Sequence, residues 1–192
     1  MRLQDRLPDG VTVDGRFYRL DFDFRNVLNM MKELAREDIM PEARAWRAVR
    51  CLTKHPRNEE KVLEAVQKLL FDREPKKDGQ KVTDFEQDAA LIRAAFRQSY
   101  GIDLYRAKLH WIEFVELLNA LPEGSRYSEV VGIRARPMPV ATKYNAEERQ
   151  WLAKAKADVA LHMSEDEQER HYNRDVANIA AGLIAWAGEK NG

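Results

Sequence analysis

Several groups of side chains have types and spacings that can do chemistry. Asp21 and Asp23 lie two apart ahead of an apolar-periodic run, and two carboxylates in a cleft can share acid and base roles. An Asp at a helix start is also the ordinary cap for free N–H groups, which accounts for Asp23 without catalysis. Asp84, Glu86 and Asp88 crowd another helix start, where the macrodipole favours negative charge. His110 with Glu113, and Asp158, His162 and Asp166, have the three- and four-residue spacings of metal ligands. The first set supplies only two ligands, and Met163-Ser164 interrupts the second. Cys51 stands alone, which rules out an internal disulfide and a multi-cysteine zinc site. A small buried apolar role near a helix end is expected of it. Arg134 to Arg136 with Lys143 can touch phosphate, but their acidic neighbours make a solvated loop the expected state. The nine glycines form no phosphate loop of Walker or Rossmann type. No nucleophile, base and orienting group share one pattern, so the sequence points away from an enzyme and calls for no cofactor or metal.

The elements that must position these residues are mainly helical: about seven to eight helices after a short β-hairpin at about residues 10–21. Asp14-Gly15 tolerates positive φ at both central positions of a type I′ turn between Val11-Thr12-Val13 and Arg16 to Leu20. Asp23 can cap a helix with the stripe Phe24, Val27, Leu28, Met31 and Ala35, and Pro41 suits the first turn of the next, with Ala45, Trp46, Val49 and Leu52 inward. Asn58 can cap a third, carrying Val62, Leu63, Val66 and Leu70. Residues 72–82 lack periodicity and read as an exposed connection. Thr83 and Glu86 form a capping box for a helix with Phe85, Ala89, Ile92, Phe96 and Tyr100, which Gly101 should end in a left-handed conformation. Trp111, Val115, Leu118 and Leu121, with Ile112 beside them, mark the next helix. Ser125 opens a short one with Tyr127, Val130, Val131 and Ile133. Asn145 and Glu148 suggest a further cap, for Trp151, Leu152, Ala155 and Val159.

The expected division is a helical domain over 1–163 and a terminal helix over 164–192, capped by Ser164 and Glu167. That helix is polar from Glu165 to Arg170 and apolar afterwards, so Val176, Ile179, Leu183 and Trp186 are the expected partner-binding residues. Trp46, Trp111, Trp151 and Trp186 all fall on apolar helix faces, which points to core or interface packing.

With 192 residues the chain can bury one domain's core. Lys and Arg number 32 and so do Asp and Glu, which removes the net positive charge that supplies most non-specific nucleic-acid affinity. No apolar run approaches the roughly 20 residues that span a bilayer, and the first residues lack the apolar segment of a signal peptide. Neither nucleic acid nor membrane is an expected partner, and the expected location is the cytoplasm where the chain is made.

Asp14-Gly15, Asp23-Phe24-Arg25, Asp84 to Phe96, Tyr100-Gly101-Ile102-Asp103-Leu104, His110-Trp111 and Leu121-Pro122-Glu123 occur in an order that resembles the bacteriophage gene-product-fifteen family, up to about Leu161. Ile112 replaces that family's second aromatic, and the segment from about Ser164 onward exceeds its usual extent. The motifs are expected to fix a helix pair and its turn. The resemblance implies a tail-region protein of a phage or prophage, encoded between the tail tube and tape measure proteins. It further implies an assembly chaperone in the host cytoplasm that grips the helical tape measure protein, with the tail tube protein as a second partner and self-association as a third contact. A head-tail joining or tail completion component of the virion is the alternative, and a small regulator or host-directed enzyme comes third.

Overall fold

A computed structural model of the chain describes residues 4–55, 57–71 and 81–162. Within them a two-stranded antiparallel hairpin precedes seven helices, the mainly α arrangement that the periodicities predict. The chain divides into two compact units, Met1–Pro137 and Met138–Gly192. The expected exposed connection at 72–82 lies outside the described residues but for its last two positions, and the terminal helix with Val176, Ile179, Leu183 and Trp186 lies wholly outside them.

In the first unit, β1 (Gly10–Val13) pairs with β2 (Arg16–Arg19) in the register Gly10↔Arg19 and Val13↔Arg16. The turn between them has φ of 48° at Asp14 and 75° at Gly15, the positive values that a tight hairpin of right-handed twist requires. Val11 and Val13 point inward and are buried, whereas Phe17 on β2 is exposed. The hairpin lies on α3 (Glu59–Phe71) through β1. At Gly10 any Cβ would meet the Tyr18 carbonyl oxygen and the Phe17 ring.

Helices α1 (Phe24–Leu34) and α2 (Pro41–Leu52) pack closely together, and α2 in turn meets α3. On α1 the inward positions are Phe24, Val27 and Met30. The expected Met31 and Ala35 are exposed, because the helix presents one face a residue earlier than the stripe suggested. On α2, Ala48 takes the place expected for Trp46, which is 47% exposed. Asn58 precedes α3 with a φ of 52°, and its side-chain amide donates to the Tyr18 hydroxyl, tying helix to hairpin.

Helix α4 (Ala89–Tyr100) ends as its glycine predicts, with Gly101 left-handed at φ 66°. Its start differs from the expected capping box. The Thr83 hydroxyl bonds to the Tyr127 hydroxyl instead, and the Glu86 carboxylate pairs with Lys32. Asp84 instead closes the turn ahead of α4, its Oδ1 accepting the N–H groups of Glu86 and Gln87 at 2.9 Å each, and Asp88 at the N-cap makes no side-chain cap bond. Helix α5 (Trp111–Asn119) buries Trp111, Phe114 and Leu118, with Val115 only partly covered. Phe114 is the aromatic centre of the core, with the rings of Phe24 at 4.7 Å, Phe96 at 5.3 Å, Trp111 at 5.8 Å and Phe85 at 6.2 Å. Helix α6 (Arg126–Ala135) opens on Ser125, whose hydroxyl accepts from the Ser128 N–H as the sequence suggests.

In the second unit, α7 (Ala146–Asp158) is the element described. Asn145 does not cap it. The amide side chain of Asn145 instead accepts from the Thr142 N–H and donates to the Val140 carbonyl, closing the preceding turn. Leu152 is buried on α7 and Trp151 is exposed, so only Trp111 among the three described tryptophans is a core residue.

Candidate partner-binding cleft

The chemistry-bearing residues are mostly consumed by the fold. Asp23 Oδ1 accepts from the Arg25 N–H and caps α1. Asp21 Oδ1 accepts from the Asp23 N–H. His110 caps α5, its Nδ1 accepting the Ile112 N–H at 3.1 Å. A ring that accepts at Nδ1 and stays neutral carries its proton on Nε2, which lies 3.0 Å from the Pro8 carbonyl oxygen and donates to it. Both ring nitrogens are therefore engaged in hydrogen bonds. Helix α7 stops at Asp158, so His162 lies beyond the helix that would have aligned the two, and Asp166 is outside the described residues. Among the described residues no group of three or more His, Cys, Asp or Glu converges as a metal site.

Arg134 corrects the expectation of a solvated basic loop. It is a buried residue of α6 whose guanidinium donates to Asp88 at 2.7 and 3.0 Å and to the Val82 carbonyl at 3.0 Å. Asp88, expected among acids at a helix start, is 1% exposed. Burial of a charge is tolerable only with such pairing, so the sequence signal was an Asp and an Arg each on an otherwise apolar face. Cys51 is partly covered one residue before the end of α2. Its thiol donates to the Arg47 carbonyl, and burial first, then the Glu33 charge, pushes its pKa up.

Between α1, α4 and α5 the fold leaves an open cleft of about 270 Å³. Its floor is apolar: Phe24 and Leu28 from α1, Phe85, Ala89 and Ile92 from α4 and its lead-in, and Phe114 from α5. Two guanidinium groups, Arg25 and Arg93, and the Leu104–Tyr105 turn form its rim. Tyr105 is 71% exposed, with the Arg93 guanidinium 4.8 Å from its ring centroid.

That rim is built rather than loose. Asp103 Oδ1 accepts the Tyr105 N–H, and its carbonyl accepts those of Arg106 and Ala107. Arg25 reaches across from α1, with Nη2 donating to the carbonyls of Leu104 at 2.7 Å and Ala107 at 2.8 Å while Nη1 bonds both oxygens of Asp23. Arg97 pairs with Asp103 from α4. The lining offers apolar surface, two guanidinium groups and the Tyr105 hydroxyl without a carboxylate or imidazole, which suits it to holding an apolar side chain whose neighbours are acidic or bear carbonyls. The helical stripes of α1 and α4 mark their side of the floor, whereas Phe114, outside the expected α5 stripe, and the rim were missed. The adjoining Arg25 and Asp23, set in a quoted motif, were the available signal.

Phe24-Arg25, residues of the Asp84 to Phe96 run and Leu104 bring three of the family motifs into this cleft. Asp23-Phe24-Arg25 and His110-Trp111 lie side by side, joined by backbone bonds from Phe24 N–H to the Leu109 carbonyl at 3.0 Å and from Trp111 N–H to the Phe22 carbonyl at 2.8 Å. A family model described as Bacteriophage Gp15 protein matches residues 3–161. The chain belongs to that phage family. Comparison with curated proteins and with solved structures gives no match. The expected helix pair and turn of the family motifs are α4, α5 and the Gly101–His110 connection between them, which carries the cleft's rim. Among the described residues no helix is long and apolar enough to cross a membrane.

Proposed function

We propose that this Gp15-family chain is a non-enzymatic tail assembly chaperone, acting in the host cytoplasm, that holds the helical tape measure protein while the tail tube forms around it. The observation that carries this reading is the cleft with its apolar floor and braced rim. An amphipathic helix docks through a few apolar anchors at helical spacing, and a cleft that keeps its shape when empty spends less free energy on ordering during binding. The Arg93 guanidinium on the rim favours a helix with acidic or amide side chains beside its anchor. Membership in a phage family supports a place in virion assembly, and the gene position implied for the family supports the tape measure protein as partner and the tail tube protein as a second one.

The test is co-expression with the tape measure protein encoded beside this chain, followed by affinity purification and light-scattering mass. The expected result is a soluble complex of both proteins. Ala89→Trp, which fills the cleft, and Leu28→Glu, which places charge on its floor, should each lose the complex while the chain stays folded by circular dichroism. An insoluble tape measure beside the wild-type chain, or full binding by both variants, would overturn the reading. Mass spectrometry of purified particles should find the chain absent; its presence there would instead favour a head-tail joining or tail completion role.

A further inference from the structure

A second surface lies on the hairpin side of the first unit. Two adjoining open cavities, of about 340 and 620 Å³, share Arg19, Leu20, Thr53 and His55 as lining. Arg16, Arg57, Arg50 and Lys54 complete a basic border. Among the described residues, Arg16, Arg50, Lys54 and Arg57 have no carboxylate within ion-pair distance. The acids present are Asp21 in the lining and Asp9, which faces Arg19 at 3.7 Å with both side chains largely in solvent, a geometry of little energetic weight. Phe17 lines one cavity at 55% exposed, and Trp46, 47% exposed, lies beneath Arg50 with its ring centroid 5.5 Å from the guanidinium. β2 pairs with β1 alone among the described strands, so its second edge is open beside the groove. An open strand edge invites another chain.

We infer that this groove seats the acidic segment Glu165–Glu169 of a second copy of the chain, producing head-to-tail self-association. That segment carries Glu165, Asp166, Glu167 and Glu169 within five residues. The whole chain is balanced at 32 acidic and 32 basic residues, so a bare basic groove requires an acidic excess elsewhere in the same sequence. Ile179, Leu183 and Trp186 follow the acids and supply the apolar surface that Phe17 and Trp46 leave uncovered. The contact joins unlike surfaces, with each copy offering one groove and one acidic segment, so it builds a reciprocal pair, a ring or an open filament according to the rotation between copies. It stands on different residues from the cleft and does not depend on the tape measure reading.

The full chain should then show a mass above a single copy by light scattering at about 0.05 M salt, falling toward one copy as salt approaches about 0.5 M and exposed charges are screened. The groove reversal Arg50→Glu with Lys54→Glu should abolish association, and so should the segment reversal Glu165→Lys with Glu167→Lys. Mixing the two reversed proteins should restore it, because each then meets a groove or segment of opposite sign. Arg50 and Lys54 are exposed, and circular dichroism checks the fold of each variant. A single-copy mass for the wild type at all salt concentrations, which includes the case of a segment folding onto its own groove, would overturn the inference. So would an association indifferent to the reversals, or a mixture that stays at single-copy mass.

Discussion

Asp23 and His110 stand opposite each other in an antiparallel bridge, and each caps the helix that follows it. Two helix starts 87 residues apart are thereby fused at their N-termini. The chain bonds on either side fix the relative height of Phe24 and Trp111, and with it the approach of Phe24 to Phe114 that forms the floor of the cleft. His110 adds a third strand of chain by donating to Pro8, and its ring meets the edge of Phe22 at 5.6 Å.

Replacing His110 should therefore cost more than an ordinary cap. His110→Ala removes the α5 cap and the Pro8 tether together and should destabilise by about 1–2 kcal/mol. His110→Asn retains a capping acceptor without the reach to Pro8, so it should recover part of that loss. Urea midpoints at constant m-value measure both. Equal losses for Ala and Asn would show that the cap contributes nothing.

The Asp88–Arg134 pair should dominate the polar energetics of the α4–α6 contact. Its side chains are 1% and 6% exposed, so removing either partner strands a buried charge. Asp88→Ala or Arg134→Ala should destabilise by about 3–5 kcal/mol, and the double variant Asp88→Leu with Arg134→Met should recover much of it. Thermal melts of the three variants decide this. A double variant no better than the worse single would assign the loss to packing rather than to unpaired charge.

Legibility followed local physics. The hairpin turn, the Gly101 stop, the Ser125 and Asp23 caps and the stripe of α4 depend on a few neighbouring residues, and the structure reproduces them. Thr83 and Asn145 had the right types for caps, but tertiary or turn partners at Tyr127, Thr142 and Val140 claim their side chains. Trp46 and Arg134 reversed their expected places because burial depends on which helix lies opposite, and hydropathy alone put the aromatic inside and the guanidinium out. The cleft was partly legible: Phe24, Leu28, Phe85, Ala89 and Ile92 follow helical spacing, while Phe114 fell outside the expected α5 stripe and the rim depends on Arg25 reaching carbonyls 79 and 82 residues away.

Asp84 gives the turn ahead of α4 a pH-dependent anchor. The Gln87 N–H, opposed in part by burial and aided by Lys81 and the Glu86 N–H, holds its carboxyl below the usual value of 3.8. A lowered folded-state pKa stabilises the fold while the carboxyl is ionised, so the contribution is full above 3.8 and fades as pH falls through the lowered value. Asp84→Ala should cost about 1 kcal/mol at neutral pH. The gap between variant and wild type should narrow in acid below about pH 4. Urea unfolding at a series of pH values tests this, and a gap that widens in acid would contradict it.

Arg25 should control the cleft through its shape rather than its charge. One guanidinium serves two carbonyls of the 104–107 turn and both oxygens of Asp23, a fork that an ammonium at the end of a lysine cannot copy. Arg25→Lys keeps the charge and should still lose about 1–2 kcal/mol, the loss expected for charged hydrogen bonds at a half-exposed site. The amides of residues 103–107 should exchange faster with solvent in that variant, while those at the centre of α4 change only with global stability. Arg93→Ala is the contrasting case. It removes the cation above Tyr105, worth about 0.5–1 kcal/mol at an exposed ring, and leaves the turn's hydrogen bonds in place. If a braced rim is what permits partner binding, Arg25→Lys should weaken tape measure capture more than Arg93→Ala does. The reverse order would make the exposed Arg93–Tyr105 pair the contact that the partner reads.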